Sequence, residues 1–407
     1  MTRRYRPRAI EGLVKKAARE FPAVVLTGPR QSGKTTLLRH LFAQSHEYVS
    51  LEPPDVRASA SVDPRGFLEM HPAPVIFDEV QYAPGLLPYI KERIDAKRDR
   101  RGQYLLTGSQ NLLLMERVTE SLAGRAAILR LLPFSRKEAV GFSDAPPPWE
   151  TRRPATERPA VSSRTLWNGF LRGGYPELVT DPKRDAALWH AGYVQTYLER
   201  DVRGLRQVGD LGLFQNFLRS LAARSGSLLN IADIARDIGV AVNTAKAWLS
   251  VLETSSQVFV VRPWFANINK RLVKTPKVYF ADVGTLCWLV GLRDIRHAAE
   301  GPMGGAIFET AVFLEIMKSL VHRGMDGRIH FWRTSAGAEV DFLVESAGRL
   351  VPIEVKLSST PRPEMAAGIR SFHSDLKDRA APGFVVYPGS VRLPLAPDIT
   401  AVPFVEL

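Results

Sequence analysis

Gly28-Pro-Arg-Gln-Ser-Gly-Lys34-Thr35-Thr-Leu37 decides how the first third of this chain is read. The stretch fits G-x-x-x-x-G-K-[ST], and its flanks suit the pattern. Phe21-Pro-Ala-Val-Val-Leu-Thr27 reads as a short apolar strand, and Thr36-Leu-Leu-Arg-His-Leu-Phe42 opens a helix. Gly28 and Gly33 let the backbone fold around a phosphate. The loop through Pro29, Arg30, Gln31 and Ser32 then turns its N–H groups, with the helix N-terminus at Lys34, Thr35 and Thr36, toward negative charge. In such a loop Lys34 reaches the β- and γ-phosphates and Thr35 offers its hydroxyl to Mg²⁺. The expectation is a site for ATP with Mg²⁺; a glycine loop of no consequence is the competing reading of the pattern alone.

A second apolar strand strengthens the first. Ala73-Pro-Val-Ile-Phe77 runs directly into Asp78-Glu79, and a parallel sheet presents its ligand groups at that carboxyl end. Asp78 is expected in the Mg²⁺ shell and Glu79 beside the attacking water, the division of labour in hydrolysing P-loop enzymes. A third strand, Gln103-Tyr-Leu-Leu-Thr107, ends in Gly108-Ser109-Gln110-Asn111. Ser109 or Asn111 is the candidate polar contact to the γ-phosphate or the water. Arg125, in Leu122-Ala-Gly-Arg-Ala126, is a candidate arginine finger, with an ordinary surface arginine as the alternative.

The composition bounds the rest. At 407 residues the chain has room for two or three domains, each with its own core. Its apolar fraction of 45% is that of a globular protein. A net charge of +13 and a pI of about 9.9 point to an anionic partner, nucleic acid and DNA first, against the alternative of a generally basic proteome. The one cysteine, Cys287, excludes an internal disulfide framework and a cysteine zinc cluster. No apolar run approaches the length of a membrane span. Thr2-Arg-Arg-Tyr-Arg-Pro-Arg8 has charge without an apolar stretch behind it, so a signal peptide is not expected and a cytoplasmic protein is. Homo-oligomerisation is left open.

Along the chain, residues 1–142 alternate strand and helix signals, as a P-loop α/β sheet requires. Residues 143–165 contain Pro146-Pro-Pro148, Pro154 and Pro159 among arginines and read as a linker or long loop. Residues 166–265 turn helical, with Phe170-Leu-Arg-Gly-Gly-Tyr-Pro-Glu177 as a tight turn. Within them, from residue 207, three helices are expected around Phe214–Ala222, Ile231–Ile238 and Asn243–Leu252. A strand at Val258–Trp264 follows, the order of a winged helix-turn-helix. The third helix of such a module enters the major groove. Here it offers Lys246 as its one strong phosphate or base contact, so packing between domains is the alternative role.

Residues 266–407 carry a second constellation. Gly305–Met317 is an apolar-faced helix bearing Glu309. Strands are expected at Arg328–Arg333, Glu339–Glu345 and Leu350–Leu357, then a helix around Glu364–Leu376 and a strand at Gly383–Tyr387. That αβββαβ order is the core of the PD-(D/E)xK nuclease fold. Strand residues two apart share a face, so Glu354 and Lys356 point the same way and Asp341 on the neighbouring strand can meet them. Asp341 and Glu354, with Glu309 from the helix, are candidate Mg²⁺ ligands. The metal would activate water for phosphodiester cleavage, with Lys356 positioning the nucleophile or phosphate. Alternating charge on an exposed strand is the plainer reading of E-x-K by itself.

The chain resembles a family of prokaryotic AAA-like ATPases whose C-terminal half is an uncharacterised, nuclease-like region. The resemblance is carried by Leu26–Thr36, Phe77-Asp-Glu-Val-Gln81, Leu106–Ser109, Leu122–Arg125, Gly173-Gly-Tyr-Pro176, Tyr279-Phe-Ala-Asp-Val-Gly284, Phe308-Glu309 and Phe331–Lys356. It implies ATP binding and hydrolysis, with a winged-helix module between two catalytic-type domains. One departure is Val340, where the nuclease pattern has proline before Asp341. Two functions compete. In one, a Mg²⁺-dependent ATPase engages nucleic acid and couples its nucleotide cycle to the nuclease-like domain. In the other, a P-loop switch uses the same modules to bind partners without cleavage.

Overall fold

A computed structural model of the chain describes residues 5–108, 118, 120–143, 145–151, 161–198, 210–264 and 274–407. It divides into two compact units. The first runs to Phe134 and includes Thr254–Ser256 and Val321–Met325; the second holds the remainder.

The first unit is built on a parallel five-stranded sheet in the order β2-β3-β4-β1-β5. Its strands are β1 (Ala23–Thr27), β2 (Glu47–Ser50), β3 (Val75–Asp78), β4 (Tyr104–Thr107) and β5 (Ala126–Arg130). β1, β3 and β4 are buried along their whole length, which is why they read as unbroken apolar runs instead of alternating ones. Successive residues feed opposite faces. Val25, Phe77 and Leu106 join a core with Ala60 of α3 (Pro54–Val62), Phe67 of α4 (Pro64–Met70) and Ile90 of α5 (Leu86–Ala96). Val24, Ile76 and Leu105 join the other, with Val14 of α1 (Glu11–Glu20) and Leu37 of α2 (Lys34–Phe42). The result is an α/β/α sandwich with β4 standing between β1 and β3. The loops after β1, β3 and β4 therefore emerge together at one edge.

The second unit begins with α6 (Arg136–Ala139) and continues through α7 (Ser163–Arg172), α8 (Pro176–Thr180) and α9 (Ala186–Tyr193). Three helices follow, α10 (Leu211–Ala222), α11 (Ile231–Ile238) and α12 (Val242–Thr254). Asp210 and Asn230 cap the first two through their side chains, and Gly239 ends α11 in the left-handed conformation. Next, β6 (Val258–Val261) pairs antiparallel with β7 (Lys277–Phe280). Then come α13 (Val283–Leu289), α14 (Ile295–Glu300) and α15 (Gly304–His322). The last is apolar nearly all round and accordingly buried from Ile307 to Leu320 on most sides.

A mixed six-stranded sheet completes this unit in the order β12-β13-β11-β10-β9-β8. β8 (Ile329–Arg333), β9 (Glu339–Ser346) and β10 (Arg349–Val355) form an antiparallel meander. α16 (Ala367–Leu376) then crosses over to β11 (Gly383–Tyr387), which lies parallel to β10. The element order from α15 to β11 is the expected αβββαβ. β12 (Leu393–Ala396) and β13 (Ile399–Pro403) extend the sheet beyond the strands expected from sequence. Ile369 and Phe372 of α16 pack one face with Trp332, Leu343 and Val385. Phe342 meets Phe313 of α15 and Tyr279 of β7 through ring contacts of 5.8 and 5.6 Å.

Candidate functional site

The loop between β1 and α2 has the shape its glycines imply. Gly28 sits at φ 140°, and a Cβ there would lie 2.1 Å from the carbonyl oxygen of Leu131. No side chain is tolerated, because Leu131 returns a backbone hydrogen bond to Thr27 at 2.8 Å and cannot withdraw. Gly33 is left-handed and leads into α2 at Lys34. Lys34 is buried and donates to the carbonyls of Gly28 (3.2 Å) and Pro29 (2.9 Å). Ser32 Oγ and Gln31 Oε1 are buried and have no hydrogen-bond partner. A cradle with orphaned polar atoms, a buried ammonium and a helix N-terminus fits the phosphates of a nucleotide.

Across the edge, Thr35 Oγ1 donates to both oxygens of Asp78, at 2.8 and 3.0 Å. The two groups expected to share Mg²⁺ are thus in contact, a hydroxyl and a carboxylate of the hard-oxygen kind the ion takes. Asp78 is further held by Tyr48 Oη of β2 at 2.8 Å and by the hydroxyl of Thr107 at the end of β4. Burial and the neighbouring Asp78 push the Tyr48 hydroxyl up to about 12, so it stays a donor. Thr107 Oγ1 also accepts from the Glu79 backbone N–H at 3.1 Å. That residue has φ 58°, so the chain turns sharply just after β3. The Gln81 side-chain amide donates to the Glu79 carboxylate.

The structure therefore brings Lys34, Thr35, Asp78 and Glu79 together. Tyr48, Thr107 and Gln81 are additions the sequence reading did not make. Thr107 was within the expected strand, and Gln81 within a quoted motif. Ser109 and Asn111, the candidates after β4, lie outside the described residues.

Arg125 is not brought to this edge. Its carbonyl accepts from Ala23 N–H at the start of β1, and β5 then runs parallel to β1 in register Ala23↔Ala126. The P-loop follows the other end of β1, roughly 16 Å of strand away. The guanidinium instead grips Asp95 at 2.7 and 2.9 Å, and that fork holds the Asp95 carboxyl below the usual carboxylate range. Arg125 cannot serve the P-loop of its own chain as a finger.

In the second unit two of the acids expected to hold a metal, Glu309 and Asp341, meet at a lysine, and the third, Glu354, pairs with another. Lys277 and Tyr279 share one face of β7. Lys277 Nζ lies 3.1 Å from Glu309, 2.8 Å from Glu339 and 3.7 Å from Asp341, with 5% of its side chain exposed. Tyr279 Oη donates to Glu309 at 2.6 Å. The other Asp341 oxygen accepts from Val355 N–H at 2.8 Å. Lys356 pairs with Glu354 Oε1 at 2.5 Å, while Glu354 Oε2 is buried without a hydrogen-bond partner. Arg333 reaches Glu339 at 3.3 Å.

Burial, and then the nearby Asp341, raise Glu309 to about 7 and Glu354 to about 8. Burial also raises Asp341, against the pull of Lys277. For Lys277 burial opposes the charge, but Glu309, Asp341 and Glu339 outweigh it and hold the ammonium above its ordinary value. Among the described residues no group of three or more His, Cys, Asp or Glu side chains is arranged to hold a metal ion. The expected ligand set Glu309, Asp341 and Glu354 does not fit a divalent cation as it stands, because the Lys277 ammonium already bridges two of its three members. Lys277 and Glu339 were missed. A lysine in an apolar strand, two residues before the Tyr279 of a quoted motif, was the available signal.

Two other motif segments meet for a structural reason. Asp282 caps α13 by accepting from Thr285 N–H at 2.8 Å and takes Gly174 N–H at 2.6 Å. Gly173 has φ 78°, and a Cβ there would stand 2.4 Å from Asp282 Oδ1. Gly173–Pro176 and Tyr279–Gly284 are thereby clamped together.

With this geometry in view the first unit is a P-loop, AAA-like ATPase domain, and residues 20–140 match the family model described as an AAA domain. Residues 163–296 and 304–407 match two domains of unknown function, DUF8612 and DUF4143. The chain is 33% identical over 391 residues to the uncharacterized protein Mb2031c of Mycobacterium bovis and equally to Rv2008c of Mycobacterium tuberculosis. In each case the match covers 96% of this chain and 82% of the relative. This chain belongs to the family of those two proteins. Among solved structures it is similar to the Walker-type ATPase PABY2304 of Pyrococcus abyssi, at 16% identity and a TM-score of 0.46, over 71% of this chain and 99% of that one. Among the described residues no helix is long and apolar enough to cross a membrane.

Proposed function

We propose that this chain is a Mg²⁺-dependent ATPase that engages nucleic acid, DNA in the first instance, and that its nucleotide cycle acts on a C-terminal region of nuclease-like fold. The observation that carries the ATPase reading is the meeting of Thr35, Asp78 and Thr107 beside Lys34 and Glu79. Bound Mg²⁺ supplies neutralisation of charge on the phosphates. Thr35 and Asp78 would hold it, and Tyr48 and Thr107 fix the Asp78 carboxylate for that purpose. Lys34 leaves the loop carbonyls for phosphate oxygens. Glu79, restrained by Gln81, orients water for attack.

Nucleic-acid binding is supported by the net charge of +13 and by the order α10, α11, α12, β6, β7, which is that of a winged helix. Lys246 is exposed on α12. Duplex DNA titrated across a salt series tests this part. Affinity should fall steeply as counterions are released, and Lys246→Glu should weaken binding and reduce the salt slope by about one contact. Affinity indifferent to salt would contradict it. The second reading, partner binding without cleavage, is favoured for the C-terminal region by one observation: Lys277 sits among its acids.

A further inference from the structure

Three acids of the second unit, Glu309, Glu339 and Asp341, meet at one cation that comes from within the chain. Glu309 comes from α15, Glu339 and Asp341 from β9 and Glu354 from β10. Lys277 enters from β7, a strand of a different sheet. It is almost wholly buried, with its ammonium against Glu339 and Glu309 and within reach of Asp341. The Phe331 ring lies 5.5 Å away. Tyr279, two residues along the same strand, fixes Glu309 from the same side. Lys356 and Arg333 face the outer members of the group, Glu354 and Glu339. A divalent ion bound by Glu309 and Asp341 would need the space next to Glu309 Oε1 and Asp341 Oδ1, the two oxygens Lys277 faces.

We propose that Lys277 is the resident cation of this acidic site, standing in place of a divalent metal, so that the C-terminal region is closed to metal-dependent phosphodiester cleavage and serves as a binding module. This rests on the partner-binding reading above and is independent of the ATPase reading. The charge is compensated in cis, and the same contact ties β7 to the C-terminal sheet.

Mn²⁺ binding to the nucleotide-free full chain, followed by electron paramagnetic resonance, tests it. Wild type and Asp341→Asn should give the same titration, since the cluster takes no ion in either. Lys277→Ala, checked for folding by circular dichroism, should gain about one Mn²⁺ site per chain, and adding Asp341→Asn should abolish it. Lys277→Arg should remain without the site. One Mn²⁺ per wild-type chain that Asp341→Asn removes would overturn the proposal, as would a folded Lys277→Ala that gains nothing. Should Lys277→Ala fail to fold, the comparison of wild type with Asp341→Asn and Lys277→Arg still decides. A failure here leaves ATP turnover untouched, and loss of turnover in the P-loop variants leaves this result untouched.

Discussion

The P-loop edge and the C-terminal acidic cluster use nearly the same residue types to opposite ends. Each places carboxylates near the end of a buried strand and brings a buried lysine close. At the P-loop the lysine rests on two carbonyls of its own loop, and Ser32 Oγ and Gln31 Oε1 remain without partners. Such a site is built for something that arrives. In the cluster the lysine rests on the carboxylates themselves, and the charges are largely matched before any ligand comes. The lesson is that acids and a lysine in a promising order do not define a metal site; where the lysine's ammonium lies decides it.

Breaking each lysine should separate the two designs. Lys34→Ala removes the buried ammonium of the P-loop, so ATP binding followed by calorimetry should fall below detection while thermal stability changes little. Wild-type affinity in that variant would take Lys34 out of the phosphate site. Lys277→Ala should do the reverse. ATP binding should persist, but removing one partner of a buried ionic group costs about 3–5 kcal/mol, so the second unit should melt or unfold in urea much earlier. An unchanged melting curve would mean that the cluster contributes nothing to folding.

A smaller effect sharpens the comparison through pH. Glu354 is raised by burial from 4.5 to about 8, so the folded state keeps a proton that the unfolded state releases. Its contribution is fully present below about pH 4.5 and is lost as pH rises toward 8. Melting temperature should therefore decline more steeply between pH 5 and 8 in wild type than in Glu354→Gln. Parallel curves for the two proteins would show that Glu354 does not hold that proton.

Much of this was readable in the sequence where function depends on neighbours along the chain. Gly28–Thr35 fixes a loop, Asp78-Glu79 ends a buried strand, and the αβββαβ order follows from helix and strand periodicities. Contacts between distant segments were not readable. Lys277 acts on residues 309, 339 and 341, and a lysine in an apolar strand announces a buried partner without saying that it is a set of acids on a distant helix and strand. For Arg125, a finger to the P-loop of its own chain is excluded by the direction of β5, which the sequence around Leu122–Arg125 does not announce. Once β5 runs parallel to β1, the residue just before it falls at the wrong end of the sheet. Thr107 was passed over in favour of residues just beyond it, because a hydroxyl at a strand's last position looks like strand until its partner Asp78 is placed beside it. β12 was missed because Leu393–Ala396 is short and carries a proline, and β13, Ile399–Pro403, ends in one.

The most direct test of the central claim, that the N-terminal acids face an incoming nucleotide, is a paired measurement on Glu79→Gln. ATP affinity should match wild type, because Lys34, Thr35 and Asp78 remain. Turnover should fall by about 10²-fold or more, as expected when the group that handles water is lost. Turnover undiminished in Glu79→Gln, with ATP bound as in wild type, would contradict the assignment of this edge as the hydrolytic site.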